Sequence, residues 1–149
     1  MEQFDFIIIG SGAASIVAAL AAKRAGKRPV IVEKTDKVGG STAMSGGVVW
    51  IPNNPLQLAA GVPDTPEKAR TYLDACAGDV GPASSPERRS AFLREGPRAV
   101  AFLQDLGMRF VHGEGYSDYH EGQKPGGMAR SRSLVGRIYD ARSLGEWRH

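Results

Sequence analysis

The sequence has few cysteines and few aromatic residues, and each shortage excludes a class of protein. Cys76 is the single cysteine among 149 residues, so an internal disulfide and a paired-thiol redox motif are both excluded. Aromatic residues make up only 7% of the chain, and no nucleic-acid-binding motif accompanies the net charge of +3. We therefore expect no nucleic-acid partner. The basic residues toward the C-terminus should be solvated or paired with acidic groups: Lys124, Arg130, Arg132, Arg137, Arg142 and Arg148.

Long apolar runs are also missing. The most apolar predicted helix covers residues 13–22, whereas a membrane-spanning helix needs about twenty apolar residues. The N-terminus carries Glu2 and Asp5, where a secretory signal peptide needs positive charge. The sequence therefore predicts a cytoplasmic protein without a transmembrane segment.

The N-terminal residues 1–35 do contain an ordered pattern. An apolar run over residues 4–9 leads into Gly-Ser-Gly-Ala-Ala-Ser at 10–15, and a second apolar run over residues 29–32 ends at Glu33. Near-continuous apolar runs are typical of buried parallel strands. Strand, glycine turn, helix, strand and carboxylate together form the βαβ fingerprint of dinucleotide binding.

Each part of this fingerprint has a physical role. Gly10 makes the tight turn, and Gly12 lets a pyrophosphate approach the backbone because it has no Cβ. The N-terminus of the following helix offers N–H groups and a positive dipole end to that anion. Glu33 is placed to accept hydrogen bonds from a ribose diol. Ser15 stands where the motif has a third glycine, and we expect only a slightly wider contact between helix and strand.

A second glycine-rich segment over residues 36–55 favours a flavin over NAD. It is dominated by Gly, Ser, Thr, Pro and Asn, which predicts a ligand-ordered or disordered loop rather than a core element. Hydroxyl groups at Ser41 and Thr42 are suited to a phosphate or a ribityl chain, and Ser45-Gly46-Gly47 to a flat ring. The predicted cofactor-binding residues are Gly10, Ser11, Gly12, Ala13, Ala14, Glu33, Lys34, Gly39, Gly40, Ser41, Thr42, Ser45, Gly46 and Gly47.

Helix signals dominate residues 65–107. Thr65-Pro66-Glu67 and Ser85-Pro86-Glu87 each pair a capping residue with proline at the first helical position. Pro97 is interpreted as the start of a third helix, which ends before Gly107. Cys76 follows Ala69, Tyr72 and Leu73 at helical spacing, so we expect it in the core. Residues 108–112 alternate like a short strand, and the segment 113–133 is irregular.

These motifs resemble the flavoprotein family of fumarate reductases, succinate dehydrogenases and 3-ketosteroid dehydrogenases. The residues that carry the resemblance are 10–14, 33–36, 39–42 and 45–47. The steroid branch is the nearest match, through residues 50–54, 59–64, 69–73, 116–120, 125–127, 132–134 and 139–145.

The resemblance implies an α/β fold: the N-terminal part of a Rossmann-like FAD-binding domain, with an incomplete sheet. Residues 108–149 then form a short strand and a loop leading toward a substrate domain that the chain lacks. Respiratory members attach FAD through a histidine in the segment matching residues 40–44, but the histidines here are His112, His120 and His149. FAD is therefore expected to bind non-covalently, and no metal site is predicted.

In the steroid branch, a tyrosine of the substrate domain removes a proton and a tyrosine of the FAD domain supports it. Tyr119 matches the second tyrosine by motif, and Tyr116 is expected to line the substrate pocket. The alternative for Tyr119 is a half-buried packing residue. Trp50 is equally consistent with packing near the flavin or in the core.

The resemblance leaves three functions open. The first is dehydrogenation of a 3-ketosteroid or similar cyclic ketone, with an unknown electron acceptor. The second is a soluble fumarate-reductase-type enzyme acting on a small dicarboxylate. The third is a truncated, inactive FAD-binding fragment; in either enzyme, we expect the 149-residue chain alone to be inactive.

Overall fold

The computed structural model describes residues 2–130 and 132–148, with Trp147 and Arg148 described by their backbone only. His149, one of the three histidines considered above, lies outside the described residues. By its packing the chain divides into two units, Met1–Gly47 and Val48–His149, and each is described by itself.

The first unit contains the predicted βαβ arrangement. Its elements are β1 (Phe6–Ile9), α1 (Ala13–Arg24), β2 (Pro29–Val32) and the single helical turn α2 (Gly40–Ala43). Strands β1 and β2 pair in parallel, with Ile7 opposite Val30 and Ile9 opposite Val32. The predicted parallel pairing is confirmed, and the α/β fold class holds.

The prediction that both strands are buried is wrong. Phe6 and Ile8 line a cleft with Ala18 and Ala22 of α1, so α1 lies over that face of the strands. Side chains alternate along a strand, so Ile7 and Ile9 belong to the other face. Ile7 is 72% exposed and Ile9 is 83% exposed, because no described element of this unit covers them.

The second unit combines helices with a three-stranded antiparallel sheet. Its elements are β3 (Val48–Trp50), α3 (Pro55–Ala59), α4 (Pro66–Ala77), a 3-10 turn (Pro82–Ser84), α5 (Pro86–Asp105), β4 (Phe110–His112), β5 (Ser133–Gly136) and a 3-10 stretch over Ala141–Arg148 that is interrupted at Gly145. Strand β5 lies between β3 and β4. The core cluster consists of Ile51, Val100 and Leu134, with Leu56 and Phe110 packed against it.

Two of the predicted helix starts are confirmed at atomic detail. The Thr65 side chain accepts a hydrogen bond from the Lys68 N–H at the start of α4. Ser85 caps α5 in the same way, by accepting from the Arg88 N–H. Both caps satisfy a backbone donor that has no partner inside the helix.

The third predicted helix start is wrong, because Pro97 lies inside α5. Proline cannot donate to the carbonyl four residues earlier, so Pro97 removes one hydrogen bond from the helix. The helix continues because residues on both sides of it are packed: Gly96 and Val100 are both buried. Tertiary packing here outweighs the local signal.

Residues 36–55 contain more regular structure than the sequence predicts. They include α2 and β3, and Ile51 belongs to the core. Strand β3 is stabilised by β5, in which Leu134 lies opposite Val49. That partner lies far along the chain, in a region where no strand was predicted.

Cys76 is exposed, contrary to the prediction of a core position. It does lie on the same side of α4 as Tyr72 and Leu73, but this side forms the wall of a groove that is open to solvent. The helical spacing therefore placed Cys76 on the correct side of α4. The prediction that this side is covered by the core was wrong.

Candidate functional site

The glycine turn of the first unit joins the C-terminal end of β1 to the start of α1. Gly10 has φ +86°, a left-handed conformation that strongly favours glycine. Its N–H donates to the Val32 carbonyl at 2.8 Å, which ties the turn to β2. Ser15 Oγ donates to the Ile9 carbonyl at 3.4 Å, so the serine at the third motif position is accommodated beside the turn.

Gly12 is not required by the backbone conformation. It is the residue before α1, with φ −70° and ψ 174°, values that any residue adopts. A Cβ built on Gly12 would lie 3.5 Å from Thr42 Oγ1 and 3.9 Å from the Gly39 carbonyl oxygen, which are ordinary contacts. Gly12 carries no side chain over this stretch of main chain, as close approach of a pyrophosphate requires.

Glu33 follows β2 and lies at the glycine turn. Its Oε2 accepts from the Ser11 hydroxyl at 2.6 Å and from the Ser11 N–H at 3.0 Å. Its Oε1 accepts from the Lys34 N–H at 2.8 Å. These hydrogen bonds, with that from the Ser11 hydroxyl the strongest, lower the pKa of Glu33 below its ordinary value. The carboxylate is thus held ionised, as an acceptor, beside the turn.

Residues 39–42 also reach the glycine turn. The Gly39 N–H donates to Ser11 Oγ at 2.8 Å, and the Ala13 N–H donates to Thr42 Oγ1 at 3.1 Å. A Cβ on Gly40 would lie 3.6 Å from Gly12 Cα, so the two glycine segments approach each other closely. The structure therefore gathers most of the predicted cofactor residues around the start of α1.

The last three predicted cofactor residues follow α2 along the chain. Ser45, Gly46 and Gly47 are exposed. Ser45 Oγ donates to the Thr42 carbonyl at 2.8 Å and accepts from the Gly47 N–H at 3.1 Å, so these contacts stay within the segment. Their contact with a flavin ring stays a prediction.

This site fits an adenine dinucleotide by its own chemistry. The start of α1 supplies N–H groups and a positive dipole end for a diphosphate, next to backbone that Gly12 leaves uncovered. Glu33 supplies an ionised acceptor for sugar hydroxyls at the edge of the same turn.

In the second unit, Tyr116 and Tyr119 belong to a loop that borders a groove of about 460 Å³. Trp50 and Tyr72 line the same groove. Tyr119 is 99% exposed, so the alternative of a half-buried packing residue is wrong. Tyr116 is half-exposed at the groove wall.

A buried ionic cluster beneath this groove was missed by the sequence analysis. Arg132 donates to Asp64 through Nε at 2.7 Å and Nη2 at 2.9 Å, and to Asp118 Oδ2 through Nη1 at 3.0 Å. The side chains of all three residues are fully buried. In the sequence, the only signal for this cluster was that each of its residues lies in a segment carrying the steroid-branch resemblance. No local pattern connects them, because the two aspartates are far from Arg132 along the chain.

The same cluster explains Trp50 and part of the basic C-terminal segment. Trp50 Nε1 donates to Asp118 Oδ1 at 2.7 Å, and its ring stacks on Phe92 at 6.1 Å, so Trp50 packs within the second unit. The expectation that basic residues pair with acidic groups is confirmed for Arg132. It also holds at the surface pairs Arg130–Glu114 and Arg142–Asp140.

Among the residues that the structure describes, no cluster of three or more His, Cys, Asp or Glu residues could hold a metal ion. Within the same residues, no helix is both long and apolar enough to cross a membrane.

The fold and the glycine-turn site define a dinucleotide-binding α/β protein. More specifically, the chain belongs to the FAD binding domain family, which matches residues 5–149, and its cofactor is FAD. The family resemblance predicted from the sequence is confirmed by both sequence and structure comparisons.

Three known proteins illustrate the likeness. The chain is 47% identical to a 3-oxosteroid 1-dehydrogenase of Mycobacterium tuberculosis, over 97% of this chain and 25% of the relative. A crystal structure of 3-ketosteroid delta1-dehydrogenase from Sterolibacterium denitrificans, in complex with 1,4-androstadiene-3,17-dione, superposes with a TM-score of 0.87 at 33% identity, over 99% of this chain and 26% of that chain. An open conformation of a flavocytochrome c3 fumarate reductase shares the fold, with a TM-score of 0.61 at 22% identity, over 93% of this chain and 22% of that chain. The chain thus spans about a quarter of the length of these proteins.

Proposed function

We propose that this chain is the FAD-binding part of an oxidoreductase that dehydrogenates a 3-ketosteroid or a similar cyclic ketone. The observation that supports the proposal most strongly is the 47% identity to a 3-oxosteroid 1-dehydrogenase across 97% of the chain.

In this proposal FAD is held non-covalently around the glycine turn. The N–H groups at the start of α1 bind the diphosphate, and Glu33 accepts hydrogen bonds from the ribose. Residues 39–42 would also contribute to holding the diphosphate, because Thr42 contacts Ala13 at the start of α1. Ser41, Thr42 and Ala43 occupy the segment in which respiratory members carry the attaching histidine, which supports a non-covalent link.

Dehydrogenation beside a ketone breaks two C–H bonds on adjacent carbons and forms a C=C bond. The acidic α-proton leaves to a base and the β-hydrogen leaves with its electron pair. When bound, FAD supplies the two-electron acceptor for that hydride. Tyr119 hydrogen-bonds to the base, a tyrosine of the substrate domain, and stabilises the phenolate that this tyrosine forms. Tyr116 lines the substrate side of the groove.

We assign the base and the groups that polarise the ketone to a substrate domain. The longer relatives carry this domain outside the quarter of their length that matches this chain. The 149-residue chain alone is therefore expected to bind FAD but not to turn over substrate. A small dicarboxylate is the competing substrate class, since its binding groups would also lie outside the matched part.

Two measurements test the proposal. The first titrates the purified 149-residue chain with FAD and follows quenching of flavin fluorescence. The second uses a chimera in which this chain replaces the matched 146-residue segment of the Mycobacterium tuberculosis relative. We expect saturable flavin binding by the chain, and steroid-dependent reduction of an artificial electron acceptor by the chimera. Because the chimera carries the substrate domain of a 3-oxosteroid 1-dehydrogenase, a yellow chimera that reduces no acceptor with any 3-ketosteroid contradicts the steroid assignment of this chain.

A further inference from the structure

The backbone on each side of Tyr119 is held by residues to which the proposed chemistry gives no role. The Tyr119 ring makes almost no contact with the described chain, because 99% of the residue is exposed. The position of the ring therefore depends on its two neighbours along the chain, Asp118 and His120.

Asp118 anchors the loop on the N-terminal side of Tyr119. Its N–H donates to the Met128 carbonyl at 2.9 Å, and its Oδ2 accepts from the Met128 N–H at 3.0 Å. The same carboxylate accepts from Trp50 Nε1 on β3 and from Arg132 Nη1, at 2.7 and 3.0 Å. One buried side chain thus connects the loop to a strand, to a second loop segment and to the ionic cluster.

Arg132 fixes the orientation of this anchor. Its two hydrogen bonds to Asp64 form a bidentate pair, which restricts rotation of the planar guanidinium. The guanidinium carbon also lies 5.8 Å from the centre of the Trp50 ring and 5.5 Å from that of Tyr72. Contacts of this kind with aromatic faces favour a single position for the cation.

Tyr72 anchors the loop on the C-terminal side of Tyr119. Its hydroxyl oxygen accepts a hydrogen bond from the His120 N–H at 3.1 Å. Tyr72 is buried, and its ring lies 5.9 Å from that of Trp50. Trp50 holds Asp118 and Tyr72 holds His120, so two neighbouring aromatic residues fix the loop on both sides of Tyr119.

We propose that Asp118 and Tyr72 are positioning residues that fix the loop 116–120, and with it Tyr119, for proton abstraction. The inference rests on the proposed function, because a fixed Tyr119 matters for catalysis only if it supports the base of a dehydrogenase. Neither Asp118 nor Tyr72 contacts the reacting atoms in this assignment.

The first test measures amide hydrogen exchange of the 149-residue chain, resolved by peptide. In Tyr72→Phe the His120 N–H loses its acceptor while the ring is kept, so exchange in the peptide over 116–120 should rise about tenfold. Asp118→Asn should raise exchange over 116–128, because the Met128 N–H loses its carboxylate acceptor. Exchange in α5 should stay unchanged in both variants.

Matched controls remove the same groups elsewhere. Tyr139→Phe removes a hydroxyl that contacts Ser143 in its own turn, and Asp105→Asn removes a carboxylate at the end of α5. Both controls should leave exchange over 116–128 at the level of the unchanged chain. Unchanged exchange in Tyr72→Phe and Asp118→Asn would overturn the inference, as would a rise of equal size throughout the second unit.

The second test uses the chimera loaded with FAD. Tyr72→Phe should lower kcat for a 3-ketosteroid by about tenfold and leave KM within about twofold, because binding groups are retained and the orientation of Tyr119 is not. The pH midpoint for kcat should also move upward, since a displaced Tyr119 no longer stabilises the phenolate of the base.

The outcomes separate the two proposals. If the unchanged chimera turns over no steroid, the proposed function fails, and the exchange measurement still decides whether the loop is fixed by these residues. If the unchanged chimera is active and Tyr72→Phe keeps its kcat and its pH profile, the positioning role fails and the proposed function stands.

Discussion

At the scale of single residues, the two glycines of the first turn carry different physical constraints. Gly10 serves the fold, because its φ of +86° is costly for any residue with a side chain. Gly12 has an ordinary conformation, and a Cβ there would make only ordinary contacts, with Thr42 and Gly39. Its function is therefore better explained by a ligand than by the backbone.

This difference predicts that Gly12→Val abolishes FAD binding and leaves the chain folded. The valine side chain would fill the space through which the diphosphate approaches, while the cost at this helix-capping position is only about 1 kcal/mol. Flavin fluorescence quenching measures the binding, and thermal unfolding measures the stability.

Ser15→Gly is the matched control for this experiment. It restores the third glycine of the motif and removes the 3.4 Å contact with the Ile9 carbonyl, so FAD should bind with unchanged or slightly higher affinity. A Gly12→Val variant that still holds the flavin would mean that the diphosphate does not lie over this turn.

Glu33 should make the first unit sensitive to acid. Its pKa is lowered on folding from an ordinary value of 4.5, so its stabilising contribution is fully present above pH 4.5 and is lost as the pH falls through the lower folded value. The contribution is small because the carboxylate is solvated. At acid pH, FAD affinity and the unfolding midpoint should therefore depend less on pH in Glu33→Gln than in the unchanged chain. Glu2→Gln should behave like the unchanged chain. Identical acid limbs in Glu33→Gln and the unchanged chain would contradict this.

At the scale of elements, helices α4 and α5 are coupled through one carboxylate. Asp74 on α4 accepts from Arg70 Nε and from Arg89 Nε of α5, each at 2.6 Å. Partial burial alone would raise the pKa of Asp74, but the hydrogen bonds from Arg70 and Arg89 lower it further than burial raises it. The folded state therefore favours the ionised form, which joins the two helices.

Asp74→Asn should destabilise the second unit by about 1 kcal/mol, since the pair is partly exposed and Arg89 keeps its hydrogen bonds to the Gly78 and Ser84 carbonyls. Denaturant unfolding monitored by helical circular dichroism measures the change. Asp79→Asn, in the turn that follows α4, is the control and should have little effect. A loss of stability of the same size in both variants would show that general charge, not the helix pairing, is responsible.

The elements that could be predicted from the sequence are those with local signals. The helix starts at Thr65 and Ser85 were correctly predicted because a capping side chain, a proline and an acidic residue lie together in the sequence. Strand β3 and the continuity of α5 through Pro97 were not, because both depend on packing partners distant in the sequence.

The same distinction applies to the candidate sites. Glycine spacing and the position of Glu33 predicted which residues lie around the first turn, since strand, turn and helix are contiguous. The cluster of Asp64, Asp118 and Arg132 could not be derived, because its three members come from separate loops and become neighbours only in the fold.

At the scale of the whole molecule, the first unit has a parallel pair of strands with one face open. Parallel sheets are normally covered on both faces, because their strands are apolar on both sides. Here α1 lies over one face, and Ile7 and Ile9 are largely exposed on the other. The relatives are about four times as long as the chain, so the isolated chain is expected to expose a surface that favours association.

The double substitution Ile7→Thr and Ile9→Thr tests this expectation. Threonine keeps the branched Cβ that suits a strand, so the pairing of β1 with β2 should persist while the apolar surface is reduced. Light scattering and binding of a hydrophobic fluorescent dye should both fall by at least about twofold. Val80→Thr is the control, since Val80 is equally exposed but lies singly in a turn of the second unit, and it should change neither signal. If the unchanged chain stays monomeric and binds no dye, the open face is covered in solution by contacts that the strand arrangement does not include.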